Sequence, residues 1–370
     1  MSSRVVVLGG GYAGVSAAKR LARSSVDLAV TLVNPRSEFV ERIRLHQYVA
    51  GNHHAVTDLR LVVPESTKLL IGTADRIDPD NGRIHLADTT VEYDHLIYAV
   101  GSREWTGGID GAAAHAFTLG TFEEAQATRT RLRDLPDHSS IVVIGGGLTG
   151  IETAAELAGM GTGATIHLIT DTQLAPSVGN RARNYIRRHL TAAGVVITEG
   201  TAVRRVNPED VVLATGTTIA SDLTIISTGA IQPDLARVSN LPTSPTGALT
   251  VGPNLVSEGA PNIVAAGDAA LISGIPLRMS CQAATPSGIH AAETVLRVIE
   301  GREPKRLKPK FTGQAISLGR TSGVLQGSNL KDRPRGWAIL TGPPAAYAKE
   351  KVCSNTLRFG HFGKLSYSWS

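Results

Sequence analysis

With only two cysteines in 370 residues, Cys281 and Cys353, the chain has too few for a disulfide scaffold. No CxxC or CxxxxC pair exists, which excludes a thiol-relay mechanism. Long apolar runs are missing too: none approaches the ~18 residues that span a bilayer. The start MSSRVVVLGG runs straight into a strand pattern without a cleavable signal. The expected location is therefore cytoplasmic, with peripheral contact at the inner face of the membrane kept open for the C-terminal tail. A block of like charge is also absent. The net charge is +5 and the sequence pI about 9.3, yet Lys and Arg are spread along the chain. That balance favours anionic small ligands or a membrane surface and argues against nucleic acid as a partner. Neighbouring His53 and His54 lack the i, i+4 spacing of helical metal sites, so no metal is expected.

What the chain does have is a glycine turn used twice. The stretch VVVLGGGYAG, residues 5–14, returns as IVVIGGGLTG at 141–150. In the first copy the β-branched run from Arg4 to Leu8 predicts a strand buried on both faces. The following VSAAKRLAR has helical apolar spacing, which places the glycines in a strand-to-helix turn. Gly9 then permits the tight turn, Gly11 lets a pyrophosphate approach the backbone, and Gly14 lets helix and strand pack. Free amides at the helix start, at Tyr12 and Ala13, face the phosphates. A second strand, LAVTLVN, ends at Asn34, where an acidic residue usually grips the adenine ribose; Asn still hydrogen-bonds a hydroxyl, with less charge assistance.

The second copy repeats the order strand, turn, helix and strand around Gly145, Gly147, Leu148, Thr149 and Gly150, with Thr170 opposite Asn34. Behind each unit come short alternating stretches that predict a β-meander and a buried returning strand, ending at Gly101 and at Gly229. Asp94 and Asp222 hold matching places in the two copies. Each copy thus reads as a whole nucleotide-binding module.

With these motifs the chain resembles the flavoprotein pyridine-nucleotide oxidoreductases that carry two dinucleotide-binding domains. The resemblance implies an α/β fold of two Rossmann-like three-layer domains, the second inserted into the first, with a short C-terminal α+β region. It implies FAD in the first module and NAD(P)H in the second. Ala74, Ala99 and Gly101 become further FAD contacts, and Tyr98–Gly101 and Ser227–Gly229 match the family's short strand ends. APNIVAAGDAA, residues 260–270, resembles the family strand that ends in Gly-Asp, with Gly267 near FAD phosphate and Asp268 on the ribityl chain. Gln282 and Ala283 open a helix whose amides would face the flavin pyrimidine edge, where negative charge gathers on reduction. Glu152 matches a glutamate that orients the nicotinamide carboxamide, and Glu156, one turn on, reads as an exposed or paired helix charge. Arg44 is assigned to the FAD pyrophosphate or, equally, to a surface salt bridge.

The expected order is a first FAD-binding segment over 1–108, an NAD(P)H-binding domain over 109–232, a second FAD-binding segment over 233–304, and a tail over 305–370. The stretch FEEAQATRTRLRDL reads as a connector. The tail resembles the quinone-reducing branch, type II NADH dehydrogenases and relatives of apoptosis-inducing factor. Catalysis is then mostly positioning: nicotinamide C4 stacks over flavin N5, and electrons pass on to an acceptor. The expected activity is FAD-dependent NAD(P)H oxidation with a quinone as acceptor. A ferredoxin- or rubredoxin-type partner and a non-enzymatic FAD/NADH redox sensor are the alternatives. Asp171 beside Thr170 tilts the nucleotide toward NADH, with NADPH open, as is the choice between monomer and homodimer.

Overall fold

A computed structural model of the chain describes residues 2–106, 108–356 and 369. The strand Ser3–Leu8 lies at the centre of a five-stranded sheet with every pairing parallel, in the order Ile263–Ala265, His95–Tyr98, Ser3–Leu8, Leu28–Asn34, Lys68–Ile71. A second five-stranded parallel sheet has the order Ala116–Thr118, Leu223–Ile226, Ser140–Ile144, Thr165–Ile169, Val196–Thr198. Both are buried on two faces, which is why their strands read as continuous β-branched runs instead of alternating ones. The edge strand Ile263–Ala265 of the first sheet comes from beyond the whole second sheet, so the second module interrupts the first.

The copies match in detail. Asp94 accepts a hydrogen bond from the Arg4 amide at 2.7 Å, and Asp222 accepts one from the Ser140 amide at 2.8 Å, each pinning the start of a central strand. Antiparallel meanders follow in both, over Ala74–Asp78, Arg83–Leu86 and Thr89–Glu92, and over Val203–Val206, Asp210–Leu213 and Thr218–Ala220. The connector departs from its sequence reading. Residues 103–140, in which that stretch lies, contain the helix Phe122–Arg133, started by a Thr121–Glu124 capping box, but their Ala116–Thr118 is also the edge strand of the second sheet.

The two chain crossings between modules run side by side as a two-stranded antiparallel ribbon, Arg103–Glu104 against Ala230–Ile231. The helix Cys281–Ile299 lies on the helix Tyr12–Leu21 so closely that a Cβ at Gly288 would stand 2.1 Å from the Ala13 carbonyl oxygen. The C-terminal region forms a three-stranded antiparallel sheet, Gly313–Ser317, Gly323–Ser328 and Pro334–Thr341, and then the helix Pro343–Thr356. Ile316, Leu318 and Val324 of this sheet join the core of the second module, while Leu307, Phe311 and Trp369 join that of the first. The tail therefore clasps both modules. Residues 357–368 of the expected tail lie outside the described residues.

Candidate active site

The two glycine turns are built alike. Gly9 and Gly145 have φ of +109° and +127°, and a Cβ on either would strike the backbone of the returning strand, at Ala99 O (2.3 Å) and Ser227 O (2.0 Å). A Cβ at Gly14 or Gly150 would strike the first glycine of its own turn, at 1.8 and 2.0 Å. Gly11 and Gly147 differ from these: a Cβ there meets nothing within 4 Å. The middle glycine thus faces open space at a helix N-terminus in both copies, and Gly11 and Gly147 cap their helices without a side-chain hydrogen bond. That is the cradle a dinucleotide pyrophosphate requires.

A cavity of about 1040 Å³ lies between the modules. The second turn contributes Gly145, Gly147, Leu148 and Thr149, followed by Glu152, Thr170 and Gly229. From the first module come Tyr12, Asp268 and Gln282, with Arg42, Ser102 and His46 beside them. The C-terminal helix adds Lys349 and Cys353. The Asp268 carboxylate accepts from Ser102 Oγ at 2.9 Å, and Arg42 Nη1 donates to the same hydroxyl at 3.2 Å. Gln282 donates to Thr312 Oγ1 at 2.6 Å, while its carbonyl oxygen and the Tyr12 hydroxyl are buried without partners in the protein. Orphaned polar atoms on the wall of a large cavity suit a ligand rich in hydrogen-bonding groups. With the open cradle over Gly11, these residues fit FAD.

Glu152, 7% exposed, lines the cavity from the helix that follows the second glycine turn. Its Oε1 accepts from the Ser317 amide at 2.8 Å and faces Lys349 Nζ at 3.1 Å; its Oε2 stands 3.9 Å from His46 Nδ1. Burial, the largest single influence, would raise this carboxyl, but Lys349, His46 and the Ser317 amide together outweigh it and hold Glu152 below the usual carboxylate value. Burial would likewise strip Lys349 of its proton, and the Glu152 charge reverses that. His46 is 3% exposed and pushed down to about 4 by burial, so it is neutral. Glu104, on the ribbon between the modules, also lines the cavity, and burial pushes it up to about 7 against the pull of Ser227 and Arg42.

Several expectations require correction. Arg44 is 2% exposed and spends its guanidinium on Glu41, Gln47, Glu350 and Ser354, tying the C-terminal helix to the first module. The short 3-10 turn Arg42–Arg44 presents Arg42 to the cavity and buries Arg44 on the other side. Ala283 is buried, and its amide donates to the Ser280 cap, so Gln282 alone of that pair reaches the cavity. Asn34 braces the first turn, accepting from the Gly10 amide at 2.8 Å and donating to the Arg36 carbonyl at 2.7 Å. Thr170 packs in the same place under Gly146 but reaches the cavity. The Gly267 amide donates to Ser287 Oγ, and its Cα packs over Ala13. Gly101 sits beside Arg42, whereas Ala74 only opens a meander strand paired to Leu86. Of the two readings of Glu156 the paired one holds: it is 2% exposed, accepts from Asn52 Nδ2 at 2.7 Å and stands 3.7 Å from Arg320 Nη1. The two cysteines, remote in sequence, both line this one cavity, each held as a thiol by burial. Lys349 escapes sequence reasoning because a single lysine on a helix carries no local signal.

Among the described residues no group of three or more His, Cys, Asp or Glu is placed to hold a metal ion. A second glycine turn that opens on this cavity, and a first turn of the same build whose helix start reaches it at Tyr12, define a two-dinucleotide flavoprotein oxidoreductase. Residues 3–292 match the family of pyridine nucleotide-disulphide oxidoreductases, and the chain belongs to it. A NADH dehydrogenase-like protein of Mycobacterium tuberculosis is 28% identical over 96% of this chain and 94% of its own length. The demethylphylloquinone reductase of Synechocystis is 26% identical over 94% of this chain and 91% of its own. Among solved structures, NDH2 from Plasmodium falciparum in complex with NADH shares the fold, with a TM-score of 0.83 at 16% identity over 98% of this chain and 97% of that one.

Proposed function

We propose that this protein is an FAD-dependent NAD(P)H:quinone oxidoreductase. The observation that carries the reading is the single cavity that holds the second glycine turn, the Glu152–Lys349 pair and the flavin-side residues Tyr12, Asp268 and Gln282 together. FAD, when bound, supplies a carrier that takes a hydride from the nicotinamide and passes two electrons to the acceptor. The chain's own residues position and exclude. The amides following Gly147 hold the nucleotide diphosphate, and Glu152, fixed by Ser317 and Lys349, accepts from the carboxamide and sets the ring face. The N-terminus of the helix Cys281–Ile299, with Gln282, stabilises negative charge at the pyrimidine edge. Lys349, held charged, stabilises the reduced acceptor and donates it a proton.

The deciding experiment is an anaerobic titration of the yellow protein with NADH and NADPH, followed by menadione, oxygen and a ferredoxin in turn. Bleaching by a nucleotide and rapid recolouring by menadione are expected; recolouring by ferredoxin alone replaces the acceptor, and slow bleaching coupled to a changed oligomeric state supports a sensor instead.

Nucleotide choice falls to Asp171, which lines the cavity next to Thr170 and Thr172. A carboxylate at this position would accept from a ribose diol and repel a 2′-phosphate. Asp171→Asn is expected to lower the NADH over NADPH ratio of kcat/KM about tenfold, corresponding to about 1.4 kcal/mol. Steady-state kinetics with both nucleotides measures it, and an unchanged ratio removes Asp171 from the ribose site.

The C-terminal face is the proposed membrane contact. Trp337, Leu340, Tyr347 and Val352 are exposed on the last strand and helix, with Lys331, Arg333, Arg335 and Lys351 close by in sequence. Among the described residues no helix is long and apolar enough to cross a membrane. Flotation with anionic vesicles should therefore be strong for the wild type and at least fivefold weaker for Trp337→Ser/Tyr347→Ser. Equal flotation removes this face from the contact.

A further inference from the structure

The proposed reaction leaves a proton to be found. A hydride carries two electrons and one proton, whereas a quinone becomes a quinol by taking two electrons and two protons. The second proton comes from solvent, one per turnover, so that NAD(P)H, one proton and the quinone give NAD(P)⁺ and the quinol. Lys349 lines the cavity with 13% of its side chain exposed, so an acceptor bound there covers it and leaves the protein side as the route by which its proton is restored.

Glu156 stands one helical turn beyond Glu152 on the same face of the helix Leu148–Ala158, past the end of the cavity, whose lining includes Glu152 but not Glu156. It is 2% exposed. Its Oε2 accepts from Asn52 Nδ2 at 2.7 Å. Its Oε1 is buried without a hydrogen-bond partner, 3.7 Å from Nη1 of Arg320, a residue 43% exposed in its side chain. Burial and the neighbouring Glu152 charge both raise this carboxyl, against the pull of Asn52 and Arg320. The groups around it run from solvent to the cavity: Arg320 pairs with Glu350, Glu350 with Arg44, and on the inner side Glu152 pairs with Lys349 and faces neutral His46. Since His46 is neutral, it does not cancel the Glu152 charge, and the seam holds one titratable carboxyl that has no other task.

Building on the quinone-reductase reading, we propose that Glu156 is the relay that carries the solvent proton to the Glu152–Lys349 pair. When the Lys349 N–H bond breaks and an O–H bond forms on the quinone, Lys349 becomes neutral and Glu152 loses its counter-ion. The Glu156 proton then moves through the Glu152 carboxylate to Lys349, and Glu156 regains a proton from water at the Arg320 side. No electrons move in this step; only the proton and the site of the negative charge do.

Glu156→Gln keeps the shape and the acceptor for Asn52 and removes the titration. In the FAD-loaded protein, infrared spectra recorded across a pH titration should lose the band of a protonated carboxyl in Glu156→Gln and keep it in Glu350→Gln. In rapid mixing of Glu156→Gln, bleaching by NADH and recolouring by ferricyanide, which takes electrons without protons, should stay at wild-type rates. Recolouring by menadione should slow about tenfold, with a larger solvent deuterium isotope effect, and Glu156→Asp should recover part of the rate. An unchanged menadione step overturns the proposal, and so does equal slowing of all three steps, which marks a distorted helix. A wild type that menadione cannot recolour sinks the quinone reading instead, while the infrared band still tells whether Glu156 holds a proton.

Discussion

Gly11→Val is expected to purify as a folded, colourless protein. A Cβ at Gly11 meets nothing within 4 Å in the protein itself, so the valine strains no contact of the chain and occupies only the space over the helix N-terminus. A pyrophosphate needs that space and those amides. The other two glycines of the turn make the control. Valine at Gly9 would require a positive φ and would strike Ala99 O, and valine at Gly14 would stand 1.8 Å from Gly9 O. Those two variants should fail to fold, whereas Gly11→Val should melt close to the apoprotein and retain less than a tenth of the flavin. Absorbance at the flavin band against protein concentration, together with the circular dichroism melt, checks both. A yellow Gly11→Val protein would mean that the pyrophosphate lies elsewhere.

Glu152→Gln should keep its flavin and lose about 100-fold in the rate of bleaching by NADH, a loss of about 2.7 kcal/mol in transition-state stabilisation. Two effects combine. The amide turns one oxygen into a donor, which breaks the match to the carboxamide, and it leaves Lys349 buried without a charge partner. The second effect is shared by Glu152→Gln and Glu152→Ala, since removal of one member of a buried pair costs roughly 3–5 kcal/mol of stability, but the glutamine keeps an oxygen to accept from the Ser317 amide and so disturbs the site less. The double variant Glu152→Gln/Lys349→Met should regain stability without regaining the bleaching rate. Single-turnover rates and thermal melts separate these contributions, and a bleaching rate equal to wild type in Glu152→Gln takes Glu152 out of the nicotinamide site.

The sequence is most legible where structure is local. A strand buried on both faces, a glycine turn and an amphipathic helix each leave a mark within a few residues, and the second copy supplies the check, down to the matched pins Asp94 and Asp222. Legibility ends where the chain folds back on itself. Arg42 and Arg44 look alike in FVERIRLHQ, and only a single turn of 3-10 helix sends one to the cavity and the other into an ion-pair network. The partners that fix Glu152, the Ser317 amide and Lys349, come from the strand Gly313–Ser317 and the helix Pro343–Thr356, which arrive from the far end of the chain. Spacing likewise could not reveal that Cys281 and Cys353 meet at one cavity, since tertiary convergence needs no sequence motif. Ala283 departs from its expected role for a smaller reason: Ser280 caps its own helix and takes the amide first.

The ribbon of Arg103–Glu104 against Ala230–Ile231 gives the two halves adjacent pivots, like two pins of one door hinge. Glu104 stands on that ribbon and lines the cavity, and burial pushes it up to about 7, so a charge that changes near neutral pH lies where the two halves are joined.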